Sequence, residues 1–504
     1  MYRVPMPLAK PEVLKSLSFG ERVAEEELQE LNRYFVQTDQ WRQLYAGAAD
    51  IVYGLKGAGK SALYANLLSH ADDLRARGVM LIAGENPRGA PVFKDLVDDP
   101  PTSEQEFRNL WKLYLLQLIG GKFREEGFES ADARALISTL ETSNLLPSGG
   151  GLKALVRSAL DYVRYFTKPA GVEGTLKLDP ATGMPSGIGG KVLFHEPNAA
   201  ALAAGAVSVD VLFSHASEAL RRHGRELWIL MDRLDVAFAE SLDLEQNALR
   251  ALFIVYSDLR TFDGIRLKIF LRSDIWERIT VAGFREASHI TKTLTISWDE
   301  KSLMNLVVRR VLQSPLVNQY YHVVVDDVLA DVARQSELFY RLFPQQVDVG
   351  SRRPSTFDWI RSRTQDGTSH TAPREVIHLL SEARNVQLKR LEIGEPLPDG
   401  EALIAGGTLK VALEEVSKVR LQQTLFAEFP AWRPYILKLR GAKTQQSVES
   451  LAEIWKEDAA RVLEIAISLA DIGFFERRGP RDDPEFWVPF LYRDALEMTQ
   501  GTAD

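Results

Sequence analysis

Asp50-Ile51-Val52-Tyr53-Gly54-Leu55-Lys56-Gly57-Ala58-Gly59-Lys60-Ser61-Ala62-Leu63 joins a short apolar run to a helix signal through a glycine-rich turn. Leu63, Leu67 and Leu68 recur at helical spacing after the turn. From Gly54 to Ser61 the turn reads G-x-x-x-x-G-K-S, the complete P-loop or Walker A pattern. Glycines at 54, 57 and 59 let the backbone curl so that successive N–H groups face one anion. The start of the following helix adds the positive end of its dipole to the same spot. Lys60 brings a point charge to the outer phosphates, and the Ser61 hydroxyl is suited to ligate magnesium. Lys56, Ala58 and Ala62 belong to the same cradle. A glycine-rich turn that binds nothing needs neither Lys60 nor Ser61, so the stretch reads as a nucleotide site.

At 504 residues the chain exceeds one typical core, and about two to four domains are expected. With no cysteine, disulfide frameworks, thiolate zinc sites and thiol catalysis are excluded. The net charge of −8 argues against an all-over basic nucleic-acid binder and leaves local patches open. No apolar run reaches the ~18 residues of a membrane span. The start Met1-Tyr2-Arg3-Val4-Pro5 lacks the apolar core of a signal peptide. A cytoplasmic protein with no membrane partner is therefore expected.

Working outward, residues 1–48 read as a helical lead-in, with Glu25-Glu26-Glu27 as a solvated face and Phe35 and Trp41 as core. Gly78 to Ala83 has the length of a buried parallel strand. Thr102 to Lys122 reads as a long helix, with Ser103 as N-cap and Glu106 three residues on. The glycine- and proline-rich region 147–197 reads as an insertion, with a protruding hairpin formed by Val172 to Leu178 and Lys191 to Phe194. Exposed insertions on rigid scaffolds often carry partner specificity.

A second informative strand is Leu227-Trp228-Ile229-Leu230-Met231, followed by Asp232-Arg233-Leu234-Asp235. An aspartate at the end of a strand parallel to the P-loop strand stands level with the phosphates, the Walker B position. Asp232 is the candidate magnesium carboxylate, against a plain helix cap. Asp235 is the candidate for polarising the attacking water. A third strand, Leu267 to Leu271, ends in Arg272-Ser273-Asp274, which makes Arg272 a candidate phosphate sensor against an ordinary salt bridge. A fourth strand is expected at Thr293 to Ser297, before a helix from Lys301 to Leu312. This alternation predicts an α/β fold with a doubly wound parallel sheet over 49–298.

Residues 299–400 are helical and strand-poor, as in a lid. Pro373 opens a helix whose first turn carries Arg374, an exposed cation that the local dipole does not favour, and so a candidate second sensor. In 401–504, helices are followed by two short strands around Gly479 to Pro484, the order of a winged helix. The candidate recognition helix, Asp458 to Asp471, has Arg461 as its only basic residue, and the wing mixes Arg477, Arg478 and Arg481 with Glu476, Asp482 and Asp483. Such a surface favours a protein contact over DNA.

The order of these parts resembles the AAA+-like and STAND-like P-loop ATPases, and in particular predicted bacterial members of that group. The residues carrying the likeness are Phe19-Gly20, Glu25-Glu26-Glu27, Tyr34-Phe35, Gly54 to Ala62, Met231 to Asp235 and Leu271 to Asp274. The resemblance implies ATP and Mg2+ as ligands. It also implies an added strand between the P-loop strand and the Asp232 strand. It makes Asp232 the magnesium ligand with Ser61, Asp235 the catalytic acid, and Arg272 and Arg374 the two sensors. AAA+ enzymes usually place glutamate directly after the magnesium aspartate; here that position is Arg233, which suits a slow switch. The wider group often occurs in antiphage defence. The expectation is a nucleotide-state switch signalling to a protein partner, with homo-oligomers open. The alternative is a DNA-associated ATPase resembling origin-binding or clamp-loading proteins.

Overall fold

The computed structural model describes residues 8–21, 35–85, 93, 100–101, 103–146, 151–167, 192–234, 241–281, 283–480 and 483–503. The chain divides into two compact units. One holds residues 39–55 and 60–296; the other holds 1–38, 56–59 and 297–504. The architecture is an α/β P-loop core with an insertion, followed by a helical lid and a winged helix.

The first unit is built on five parallel strands: β1 Ile51–Gly54, β2 Val79–Ala83, β3 Glu226–Met231, β4 Ile265–Arg272 and β5 Thr293–Thr295. Their spatial order is β2-β3-β4-β1-β5. The added strand expected between the P-loop strand and the Asp232 strand is β4. β1 is buried at every position, and β3 at every position after its first, as strands covered on both faces require. After β1 comes α1, Lys60–Ser69.

Helix α2, Glu104–Glu125, starts at Ser103, whose side chain accepts from the Glu106 N–H. Trp111 within it is fully buried and donates its indole N–H to the Ala248 carbonyl at 2.8 Å, so the largest apolar group of the core leaves no orphan donor.

The region 147–197 differs from its expected form. Helix α3, Leu152–Thr167, lies inside it and buries Val156, Ala159, Leu160 and Val163 in the same core as the sheet. These positions recur at helical spacing, a signal masked in the sequence by the adjacent glycines and prolines. Val172 to Leu178 lies outside the described residues. Its supposed partner, Val192–Leu193, instead pairs in parallel with Val207–Ser208, so that end is not a hairpin strand. Residues 1–7 and 22–34 of the helical lead-in, including Glu25 to Glu27 and Tyr34, also lie outside the described residues. Trp41 is buried and stacks on Tyr45, as the core reading expects.

The second unit has its own apolar core, running from Val13 and Phe19 through the lid helices to Tyr492. It contains α4, Pro373–Glu392, and α5, Gly406–Val419, which continues into a π-helical turn at Arg420–Leu425. The winged helix follows as β6 Lys443–Gln446, α6 Val448–Trp455, α7 Ala459–Asp471, β7 Glu476–Arg478 and β8 Glu485–Trp487. A last strand, β9 Thr499–Thr502, adds in parallel to β6. Neither β6 nor β9 was legible in the sequence, because Lys443-Thr444-Gln445-Gln446 and Thr499 to Thr502 are polar.

Candidate nucleotide-binding site

Within the first unit, the P-loop turn leaves the end of β1. Gly54 is a strand residue rather than part of the curl: it pairs in register with Arg272 of β4 and is not among the positive-φ glycines. The curl belongs to Gly57 and Gly59, at φ 80° and 102°, where a side chain would be strained. Lys60, at the first position of α1, donates Nζ to the carbonyls of Gly54 and Leu55 at 2.8 and 3.0 Å. Its ammonium is thereby held at the mouth of the turn. Ser61 and Ala62 follow, half-buried, in the first helical turn.

Asp232 directly follows β3 and is 4 % exposed. It stands close enough to Tyr64 of α1 for its charge to help push that phenol up, after the larger effect of burial. Tyr64 is one helical turn beyond Lys60 and Ser61, so the end of β3 and the start of α1 share one locality. Arg233 occupies the left-handed region at φ 57°, an uncommon conformation for a non-glycine residue. Asp235 lies outside the described residues.

Arg272 closes β4 and forms a two-pronged ion pair with Asp274, Nε to Oδ1 at 3.0 Å and Nη2 to Oδ2 at 2.8 Å. Burial would raise the Asp274 carboxyl, but Arg272, with help from Arg278, holds it below the usual range. The sensor candidate is thus engaged by a neighbour two residues on while standing in register with the start of the P-loop.

The second unit contains the tip of the turn. Lys56 forms an ion pair with Glu428, and the Ala58 carbonyl accepts the Trp298 indole N–H at 2.8 Å. A Cβ on Gly57 would stand 3.1 Å from the Arg374 Cβ and 3.5 Å from Glu375 Oε2. Arg374 is therefore beside the tip. It is half-buried rather than exposed, with its Nε shielded and making no hydrogen bond among the described residues. Glu428 and Glu375 were missed in the sequence; no local pattern ties either to a turn more than 300 residues earlier.

In the winged helix, Arg461 pairs with Glu464 at 2.7 Å. Arg478 pairs with Glu476 at 2.7 Å and lies over the Trp487 ring. Arg481 and Asp482 lie outside the described residues. Among the described residues no helix is long and apolar enough to cross a membrane.

No family model matches the chain, and no curated protein matches it. Among solved structures it is similar to the ORC2 protein of Aeropyrum pernix, determined as ADPNP–ADP complexes. That likeness has 12% identity, covers 95% of this chain and 94% of the other, and has a TM-score of 0.35. The comparisons do not extend to the STAND-like part of the resemblance.

Proposed function

We propose that the chain is an ATP-binding and ATP-hydrolysing switch whose lid and winged helix report nucleotide state to a partner. The observation that carries this is the complete P-loop between a buried parallel strand and a helix, with Asp232 at the end of a strand in the same sheet. The residues fit a magnesium nucleotide. Gly57 and Gly59 adopt the positive φ that an N–H cradle uses, and Lys60 is anchored at its mouth. Ser61 and Asp232 would hold Mg2+, which supplies charge neutralisation on the phosphates when bound.

In this reading Lys60 exchanges carbonyl partners for phosphate oxygens, and Asp232 orients the outer side of the site. Arg272 and Arg374 sense the terminal phosphate. The chain comprises a lead-in at 1–48, an ATPase core at 49–298, a lid at 299–400 and a winged-helix domain at 401–504.

The first test is steady-state ATP hydrolysis and ATP affinity for the wild type beside Lys60→Ala and Asp235→Asn. The reading expects Lys60→Ala to lose binding. A wild type that binds no ATP sinks it.

A second reading shares the same ATP site but gives the winged helix DNA, as origin-binding proteins do. It is favoured by the complete winged-helix order, which includes β6 ahead of the helix pair. Against it stand Arg461 and Arg478, each already engaged by a glutamate. Steeply salt-dependent DNA binding, lost on replacing Arg477 and Arg478, would decide for DNA. ATP turnover indifferent to DNA would decide for a protein partner.

A further inference from the structure

The residue after Asp232, where a water-activating glutamate is usual, is Arg233, and it is turned into the left-handed region. A second carboxylate stands at the end of the neighbouring strand. β2 pairs with β3 up to Ala83 and Leu230, and the Gly84 N–H still donates to the Leu230 carbonyl at 2.8 Å. Two residues past Leu230 is Asp232, and two past Ala83 is Glu85. Two carboxylates thus leave adjacent parallel strands at one level, and Glu85 is completely buried.

The turn that carries Glu85 is pegged by two tyrosines. Tyr114 Oη donates to the Gly84 carbonyl at 2.8 Å, and Tyr64 Oη donates to the Glu85 carbonyl at 2.7 Å. Gly84 itself has no room for a side chain: a Cβ there would fall 2.5 Å from Met231 Sδ. Tyr64 registers both carboxylates. Burial raises its phenol most, and then Asp232 and Glu85 raise it further, while Arg233 opposes them. A buried acid whose backbone is tied to the P-loop helix and which stands abreast of Asp232 is the kind of placement that functional carboxylates take.

We propose that Glu85 is the catalytic carboxylate of ATP hydrolysis, accepting the proton of the attacking water. The inference rests on the ATPase reading above and moves the base from Asp235 to Glu85. The water oxygen bonds to the terminal phosphorus, and the bond from that phosphorus to the bridging oxygen breaks. ADP leaves with the electron pair. Glu85 takes the proton and later passes it to solvent, leaving ADP and inorganic phosphate.

The test compares full-length wild type, Glu85→Gln, Glu85→Asp and Asp235→Asn in kcat, KM, affinity for a fluorescent ATP analogue, and melting temperature. Glu85→Gln is expected to lower kcat by about 100-fold or more while KM, affinity and melting temperature stay near wild type. Glu85→Asp, which keeps the charge and supplies a sound fold should the amide not, is expected to retain part of the turnover. The inference is overturned if Glu85→Gln hydrolyses ATP within a few-fold of wild type. It is equally overturned if affinity falls together with kcat, which marks a structural support, or if Asp235→Asn alone abolishes turnover. A wild type that binds no ATP removes the ATPase reading, and this inference with it.

Discussion

Arg420 donates Nη1 to Glu375 Oε1 at 2.8 Å, and the other oxygen of that carboxylate faces Gly57 at the tip of the P-loop turn. Burial works against the charge on Arg420, but the neighbouring Glu375 carboxylate, with Asp366, outweighs it, and the net shift is upward from the usual arginine value. Arg420 also opens the π-helical turn, a feature frequent at functional sites. One cation therefore ties the helix that begins at Pro373, through Glu375, to the end of α5, and reaches Asp366 at 3.9 Å. Arg420→Met is expected to destabilise the chain by about 3–5 kcal/mol, because it leaves the buried Glu375 carboxylate without its cation. The double variant Arg420→Met/Glu375→Gln should recover part of that loss. Denaturant unfolding measures both.

Gly57 and Gly59 both have positive φ, but their surroundings differ. Beside Gly57 the Arg374 Cβ allows no added atom without movement, whereas Gly59 has only the Trp298 ring, at 3.9 Å. Gly57→Ala should therefore weaken nucleotide affinity more than Gly59→Ala. Both carry the backbone strain of about 1–2 kcal/mol for a side chain in that region. Titration with a fluorescent nucleotide distinguishes them; equal losses would mean that backbone strain alone sets the effect.

The Lys56–Glu428 ion pair engages a P-loop cation with a carboxylate near the end of the helix that contains the π turn. Glu428→Gln removes this competing carboxylate from Lys56. Nucleotide affinity is expected to rise by up to about fivefold, the scale of a partly exposed ion pair. The gain should disappear in Lys56→Ala/Glu428→Gln. An unchanged affinity in Glu428→Gln would show that Lys56 does not reach the phosphates.

Lys268, on β4, is fully buried between Asp50, at 2.8 Å, and the Trp228 ring. Burial pushes its pKa down from 10.5 to about 8, against the attraction of Asp50. Between those values the unfolded chain binds the proton and the folded chain does not, so stability rises as pH rises through about 8. Urea unfolding between pH 8 and about 9.5 should show that rise in the wild type and not in Lys268→Met. The same variant is expected to cost about 3–5 kcal/mol at pH 7 by leaving the buried Asp50 carboxylate with the Tyr256 hydroxyl but without its cation.

Much of the first unit was legible because its signals are local. The largely apolar runs read at 78–83, 227–231 and 267–271 became the strands Val79–Ala83, Glu226–Met231 and Ile265–Arg272, and α2 begins at the predicted Ser103 cap. The P-loop was legible for the same reason: cradle, lysine and serine are consecutive. Lys268 escaped notice because one charge within an apolar strand does not disturb its pattern, and its partner Asp50 is 218 residues away. Helix α3 was obscured by the glycines beside it.

The amino-acid order by itself determined the P-loop, the parallel core and the sequence of lid and winged helix, since each is encoded by spacing within a few residues. Only the tertiary structure decided which charges stand together. It set Glu85 abreast of Asp232, Arg272 against Asp274, and Glu375 and Arg374 beside Gly57. Strand register and helix docking bring those groups together, and both depend on burial of apolar surface drawn from the whole chain, which no short window of sequence contains.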